Sequence, residues 1–304
     1  MDNRQIHVFP SIQEAIQALF GADCRIAGRS AVAGGDANDA YLLTLTDGQR
    51  VFLKENTLAR AAFFEAEAEG LSAIAQTGTI RTPALYGRGT DARTGRSFLL
   101  MEYIAGAGQI PDFWEVFAAQ LAALHRADTS AFVPGGTYGF LRDNFIGAGE
   151  QENAPADSWI RFFAERRLEP QIRKASAYFD AGERRCFLRL LDRLEELLAE
   201  PSHPSLLHGD LWAGNFVTGS DGRAWLIDPA VYVGHAEADI AMTELFGGFS
   251  PRFYAACRQE GDLDEGYADR RDLYNLYHLL NHLNLFGAGY YSAVMRTARH
   301  YAGG

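Results

Sequence analysis

The sequence predicts an α+β fold in two lobes, a small β-rich N-terminal lobe and a larger helical C-terminal lobe. Three observations predict it. Short strand patterns crowd residues 24–54 and return before residue 104, helical periodicity dominates after residue 112, and one strand-rich segment, 206–233, interrupts the helices. A length of 304 residues suits one large or two medium domains. The lobes are assigned to 1–104 and 105–304, and the cleft between them is the expected ligand site.

Each element has a local reason. Ile12, Ile16 and Leu19/Phe20 recur at helical spacing, which predicts a short amphipathic helix over 11–21. CRIAGRSAVAGG, DAYLLTLTDG and QRVFLKE read as strands, and Asp47-Gly48 between the last two is a hairpin signal. Residues 57–77 form a helix whose apolar face carries Phe63, Phe64, Leu71 and Ile74. Glu67 falls among them, and a carboxylate on an apolar face needs a partner. PALYGRGTD and SFLLMEYI are strands on either side of a Gly/Arg-rich turn. Helices follow over 112–127, 157–177, 181–200, 250–261 and 268–286.

Composition narrows the function classes. Hydrophobic content of 47% with 22% charged residues is that of an ordinary globular protein. A net charge of −11 argues against a nucleic-acid partner, since no basic stripe is present to release counterions. The three cysteines, Cys24, Cys186 and Cys257, are far apart and show no metal-ligand spacing, which suits a reducing compartment. The N-terminus lacks a basic then apolar leader, and no apolar run approaches the ~18–20 residues that span a bilayer. The expected location is the cytoplasm, without a membrane partner, as a monomer or weak homodimer.

The chemistry is carried by HGDLWAGN (208–215) and LIDPA (226–230). Asp210 and Asn215 have the D-x-x-x-x-N spacing of a kinase catalytic loop, and Asp228 follows on an apolar strand. Phosphoryl transfer needs a carboxylate to take the hydroxyl proton, oxygen ligands for Mg²⁺, and positive charge on the phosphates of ATP. Asp210 suits the base; Asn215 and Asp228 supply hard oxygen ligands. Upstream, Gly34 and Gly35 lie in a turn between strands that could lay amides over phosphates, although Gly-Gly alone marks only a turn. Lys54 ends VFLK, where a phosphate-binding lysine sits, and Glu67 on the next helix is its expected ion-pair partner. FLLMEYI leads into the hinge, with Met101 lining the adenine pocket and the backbone of Glu102 and Ile104 meeting adenine. Together these parts predict a two-lobed protein-kinase-like fold using ATP and Mg²⁺.

With those residues in hand, the chain resembles the fructosamine (ketosamine) kinase family. HGDLWAGN carries a Trp after Asp-Leu. DPAVYVGHAEADIAM (228–242), LFGGF (245–249), YGFLRDNFIG (138–147), WIRFFAERRLEPQ (159–171) and LYHLLNHLNLFGAGY (276–290) extend the resemblance from about residue 30 to 290. GHxE with LFGGF is the specific part; HGD marks only the wider kinase-like superfamily. The resemblance implies ATP-dependent phosphorylation of the sugar 3-hydroxyl of a ketosamine, free or on a glycated protein, and hence deglycation. It also implies that His282 lines the acceptor pocket near Trp212. Where some members carry a redox-active Cys in the Gly-rich loop, this chain has Asp36, so no such switch is expected.

Other residues keep two readings at this stage. Trp212 either stacks on the sugar or packs in the core, and His282 either meets the acceptor or is a hydrogen-bonded core histidine. His208 and Asp239 are expected to hold the catalytic loop. Arg166 and Arg167 are expected as solvated helix residues, and Cys186 as a packed thiol. The competing functions are a kinase of another amino-alcohol or aminoglycoside, and a catalytically inactive nucleotide-binding protein. A protein kinase is disfavoured because D-F-G and A-P-E are absent.

Overall fold

In the computed structural model, the residues described are 6–32, 38–261 and 263–303. They gather into two compact units, each taken here by itself. The first contains the chain up to Ile110 together with Val217–Asp228; the second contains Pro111–Phe216 and the chain from Pro229 onward.

The first unit is built on one sheet. Its elements are β1 (Val8–Phe9), α1 (Ile12–Phe20), β2 (Ile26–Ala31), β3 (Asp39–Leu45), β4 (Arg50–Thr57), α2 (Ala61–Thr77), β5 (Leu85–Asp91) and β6 (Arg96–Glu102). The strands run in the order β1-β5-β6-β4-β3-β2, antiparallel except for the β1–β5 pair. Ser11 caps α1 by accepting from the Glu14 amide at 3.2 Å. The β3–β4 turn places Gly48 at φ +86°, a conformation that suits glycine. Side chains alternate across the sheet and so define two cores. Leu43, Leu45, Val51, Leu53, Phe98 and Leu100 face Ala15 and Ile16 of α1. On the opposite face Leu99 and Met101 pack against Phe64, Ala68 and Leu71 of α2. Lys54 pairs in register with Leu99 and therefore projects toward α2, the helix that carries Glu67. The Val217–Asp228 segment joins this unit through Leu226, whose amide donates to the Arg81 carbonyl at 2.8 Å.

The second unit is mainly helical. It holds α3 (Phe113–His125), the hairpin of β7 (Asn144–Ile146) and β8 (Gly149–Gln151), α4 (Trp159–Phe163), α5 (Glu169–Lys174), α6 (Ala181–Asp192), α7 (Leu194–Leu197) and β9 (Ser205–Leu207). A short hairpin of β10 (Phe216–Thr218) and β11 (Ala224–Leu226) carries the chain through the first unit. It is followed by β12 (Tyr232–Gly234), α8 (Ala236–Leu245), α9 (Pro251–Glu260), α10 (Tyr267–Phe286) and α11 (Tyr291–Tyr301). β12 pairs antiparallel with β9. Helix α10 forms the spine, with Leu273, Leu276, Leu280 and Leu283 fully buried at helical spacing. Asp180 and Glu183 make a reciprocal capping box at the start of α6.

The structure departs from two sequence expectations here. The helix expected over 157–177 is divided by a π turn at Ala164–Leu168, just before Pro170 in the first turn of α5. Proline lacks the N–H that a continuous ladder needs, so the turn before it widens. This widening also overturns the reading of Arg167 as solvated. Its guanidinium is fully buried, 3.9 Å from the Tyr232 ring centre, and donates to Glu152 O and Asn153 Oδ1. Cys186 is buried beside Phe187 and Leu190, as a packed thiol should be.

Two buried histidines give this unit a pH signature. Burial pushes both His235 and His278 down to about 3. A group whose pKa is depressed by folding contributes stability above its unfolded value, near 6.5, and loses it as the pH falls. His278→Asn is therefore expected to flatten the slope of unfolding free energy between pH 6 and 4.5 by about one proton, ~1.4 kcal/mol per pH unit. Urea unfolding across that range checks it; a slope equal to the parent's would mean that His278 is protonated in the fold.

Candidate active site

The first unit concentrates charge around one lysine. The Lys54 ammonium lies 2.6 Å from Glu67 Oε1 and also contacts Asp228 Oδ1. Burial alone would pull the ammonium down, but Asp228 and Glu67 outweigh it and hold Lys54 above the ordinary lysine range. Burial raises Glu67, with Lys54 opposing and Asp228 adding to the rise. Two carboxylates face one ammonium here, and Asp228, with a side chain 39% exposed, is the one a further cation could reach. Asp228 has φ 53°, the one positive φ at a non-glycine position among the described residues. Such a conformation costs of order 1–3 kcal/mol and concentrates at functional positions. Lys54 is also one of only two lysines in the chain.

The second unit contains the catalytic-loop motif as a tightly tied turn. Asp239, in the first turn of α8, accepts the His208 amide at 2.8 Å and the Gly209 amide at 2.9 Å. His125 at the end of α3 meets the same carboxylate at 3.1 Å. Burial would raise Asp239, yet His125 and the Gly209 amide hold its carboxyl below the ordinary range. Gly209 has φ +80°, and a Cβ there would lie 2.0 Å from the Ala230 carbonyl, so no side chain fits. The His208 Nδ1 accepts the Asp210 amide at 3.3 Å. Asn215 then folds back, its Nδ2 donating to Asp210 O at 2.8 Å and Oδ2 at 3.1 Å. Those donations orient the Asn215 amide, so Oδ1 is the oxygen a hard cation would coordinate.

A buried Lys–Glu pair with a strained Asp, and an Asp-to-Asn turn anchored from the next helix, are the parts of a phosphotransferase. The family model for fructosamine kinase matches residues 8–302. The chain belongs to the fructosamine kinase family. It is 42% identical to a probable ketoamine kinase of Synechocystis sp., covering 92% of each chain. It is 37% identical to a chloroplastic protein-ribulosamine 3-kinase of Oryza sativa subsp. indica, covering 92% of this chain and 80% of that one. A provisionally assigned fructosamine-3-kinase from Thermobifida fusca superposes with a TM-score of 0.80 at 32% identity, covering 96% and 99% of the chains. The choline kinase LicA of Streptococcus pneumoniae, 17% identical with a TM-score of 0.56 over 96% and 97%, shares the fold alone. The family's fold is thus α+β and kinase-like, as the motif spacing predicts.

The remaining candidates of this family member fall in three groups. Met101 is buried with Phe64 and Leu71, a core side chain of the first unit. Glu102 ends β6 with its amide on the Ala84 carbonyl at 2.8 Å, and Ile104 lies half-buried two residues on. Gly34, Gly35 and Asp36 lie outside the described residues. Trp212 is exposed, which removes the core reading, and its indole lies against Gly214, where a Cβ would meet the ring at 2.3 Å. His282 is half-buried, with Nδ1 2.8 Å from the His278 carbonyl.

His235, Glu237 and Asp264 are close enough to suggest a metal cluster. The geometry speaks against one. Arg270 already grips both Glu237 oxygens at 2.8 and 2.6 Å, and the His235 Nδ1 caps α8 by accepting the Glu237 amide. With Nδ1 accepting, the neutral ring carries its proton on Nε2, the atom a metal would need.

His125 is the loop's neighbour that sequence reasoning missed, and Arg167 is one that it placed in solvent. Neither belongs to a spacing motif; each acquires its role only through contacts more than ten residues away in sequence.

Asp239→Ala is expected to destabilise the protein by about 3–5 kcal/mol, since two buried amides and His125 would lose their acceptor together. Thermal or urea unfolding measures it; a loss under 1 kcal/mol would mean that the loop holds itself without Asp239.

Proposed function

We propose that this protein is an ATP-dependent ketosamine kinase that phosphorylates the sugar 3-hydroxyl of amine-bound ketoses. The observation that carries the proposal is the Lys54–Glu67–Asp228 charge cluster, together with the Asp239-anchored turn that orders Asp210 and Asn215. The names of the Synechocystis and Oryza relatives, at 42% and 37% identity, support the acceptor class. Free, buried thiols among the described residues suit a reducing compartment such as the cytoplasm.

In this reading Lys54, oriented by Glu67, binds the α- and β-phosphates of ATP. Asp228 and Asn215 Oδ1 would hold Mg²⁺, which would supply neutralisation of charge on the phosphates. The donor set fits: a carboxylate and an amide oxygen, both hard, with the Asp228 side chain 39% exposed and so within reach of a cation. Asp210 accepts the proton of the acceptor hydroxyl as that oxygen attacks the γ-phosphorus and the bond to the β,γ-bridging oxygen breaks, releasing ADP. The Asn215 Nδ2 bond to Asp210 Oδ2 fixes which carboxylate oxygen receives that proton. Backbone groups of Glu102 and Ile104 are assigned to adenine, and Trp212 and His282 to the acceptor. Enolisation at C1 gives a C1=C2 enaminol, whose nitrogen lone pair expels the allylic phosphate from C3 and leaves an imine at C1. Water then hydrolyses the imine and frees the amine, which makes the activity one of repair.

ATP consumption with Mg²⁺ against ribulose-lysine, fructose-lysine, choline and kanamycin tests the assignment. Turnover is expected on a ketosamine, with NMR placing the phosphate on O3; turnover on choline or kanamycin alone would overturn the acceptor class. Asp210→Ala should lower kcat by about 10²–10⁴-fold while ATP affinity stays near the parent's, and near-parental turnover would remove Asp210 as the base. Asp228→Ala should weaken Mg·ATP binding measured by calorimetry, whereas unchanged affinity would exclude it as a metal ligand.

A further inference from the structure

Arg167 is fully buried, and among the described residues no carboxylate lies within ion-pair distance of it. The Glu152 carboxylate faces Arg166 and Arg173 instead, while its carbonyl accepts from Arg167. A buried cation without a counter-charge is costly, and an apolar side chain of similar volume would fill the space without that cost. What a guanidinium adds is a rigid plane, with donors fixed on its edge and two faces on which rings can stack. Arg167 uses both. Its edge donates to the carbonyls of Glu152 and Arg166 and, at 2.7 Å, to Asn153 Oδ1. Its plane lies 3.9 Å from the Tyr232 ring centre and 4.7 Å from that of Phe162.

Two routes lead from Arg167 to the catalytic loop. Through the ring, Tyr232 pairs with Leu207, the residue before His208, and its Cδ1 would lie 3.3 Å from a Cβ on Gly209. Through the edge, Asn153 Nδ2 donates to Asn144 Oδ1 at 2.9 Å. Gln151 Nε2 donates to the same oxygen at 2.8 Å and to the Ala230 carbonyl at 3.0 Å. That carbonyl is the group against which Gly209 lies, and the Ala230 amide donates to the His208 carbonyl at 2.9 Å. Both routes end within two residues of Asp210. We propose that Arg167 is a positioning residue for phosphoryl transfer, holding the His208–Gly209 backbone so that the Asp210 carboxylate meets the acceptor hydroxyl. The inference rests on the reading of Asp210 as the proton acceptor and names the side chain that sets its place. Asp239 holds the amides of His208 and Gly209; the Arg167 routes hold the His208 carbonyl and the face of Gly209. A displacement of about 1 Å at a reacting group costs on the order of 10²-fold in rate, so the second set of restraints bears on kcat.

Arg167→Lys tests it, since lysine keeps the charge but has no plane to stack on Tyr232 and no fork to join Glu152 with Asn153. With ribulose-lysine as acceptor, kcat is expected to fall about 10–100-fold while the KM for ATP stays within twofold. Peptide-resolved hydrogen exchange should show the amides of 208–211 exchanging about tenfold faster, with α10 as protected as in the parent. A parental kcat would overturn the proposal. So would a loss of kcat accompanied by equal loss of ATP affinity and of protection throughout α10, which is what a merely structural role produces. Gln151→Leu breaks the edge route at Ala230 alone and carries the test if the lysine variant does not fold. It is expected to lower kcat about fivefold at unchanged KM for ATP, and an unchanged kcat would overturn that route. Where both variants fold, the double variant should lose little more than Arg167→Lys by itself, and fully additive losses would mean that the two residues act apart. A parent enzyme idle on ketosamines would instead overturn the reading of Asp210, while the exchange comparison still decides whether Arg167 holds the loop.

Discussion

The first unit depends on how one ammonium is held. Lys54 sits on β4 with its side chain directed to the face that packs on α2, and there it meets Glu67 and Asp228 together. Burying a lone ammonium would cost several kcal/mol, so the carboxylates are conditions for the fold as much as for the chemistry. The arrangement ties three distant stretches, a strand, a helix and the segment ending at Asp228, to a single point.

The helical unit solves a different problem, holding a polar loop rigid in an apolar interior. One carboxylate, Asp239, satisfies two successive loop amides and a histidine from another helix. Gly209 lets the loop approach the Ala230 carbonyl more closely than any side chain would allow. Below the loop, Arg167, Asn153, Asn144, Gln151 and Tyr277 form a buried chain of hydrogen bonds that ends on the Ala230 and Val231 carbonyls. Buried networks of this kind are rigid when every link is made. Stiffness beneath the loop holds the Asp210–Asn215 turn in one geometry.

Much of this was legible in the residues. The apolar runs VFLK and FLLMEY marked two strands of the sheet, and the odd carboxylate on the apolar face of α2 announced its partner before any geometry was known. The spacing from Asp210 to Asn215 and Asp228 announced the loop. Other features left no local trace. β1, β7 and β8 are two or three residues long, too short for alternation to register. Helix α11 does show Val294, Met295, Ala298 and Tyr301 at helical spacing, so its pattern was present although it lay beyond the expected elements. The burial of Arg167 depends on a π turn and on rings from Tyr232 and Tyr277, sixty-odd and over a hundred residues away, respectively. The contact of Lys54 with Asp228 likewise needs the chain to return to the first unit, which no window of sequence reveals.

The scarcity of lysine gives the Lys54 site one more meaning. Sugar aldehydes condense with amines only in the free-base form, and an arginine guanidinium stays protonated and does not form such adducts. Of 28 basic residues only Lys54 and Lys174 carry a primary side-chain amine. Lys174 is exposed, with its ammonium on the Glu150 carbonyl, and nothing assigned to the chemistry rests on it. Lys54 is buried and held firmly protonated between two carboxylates. Under the proposed function, the one amine assigned to the phosphates is thus held in the form and the place where glycating sugars react least.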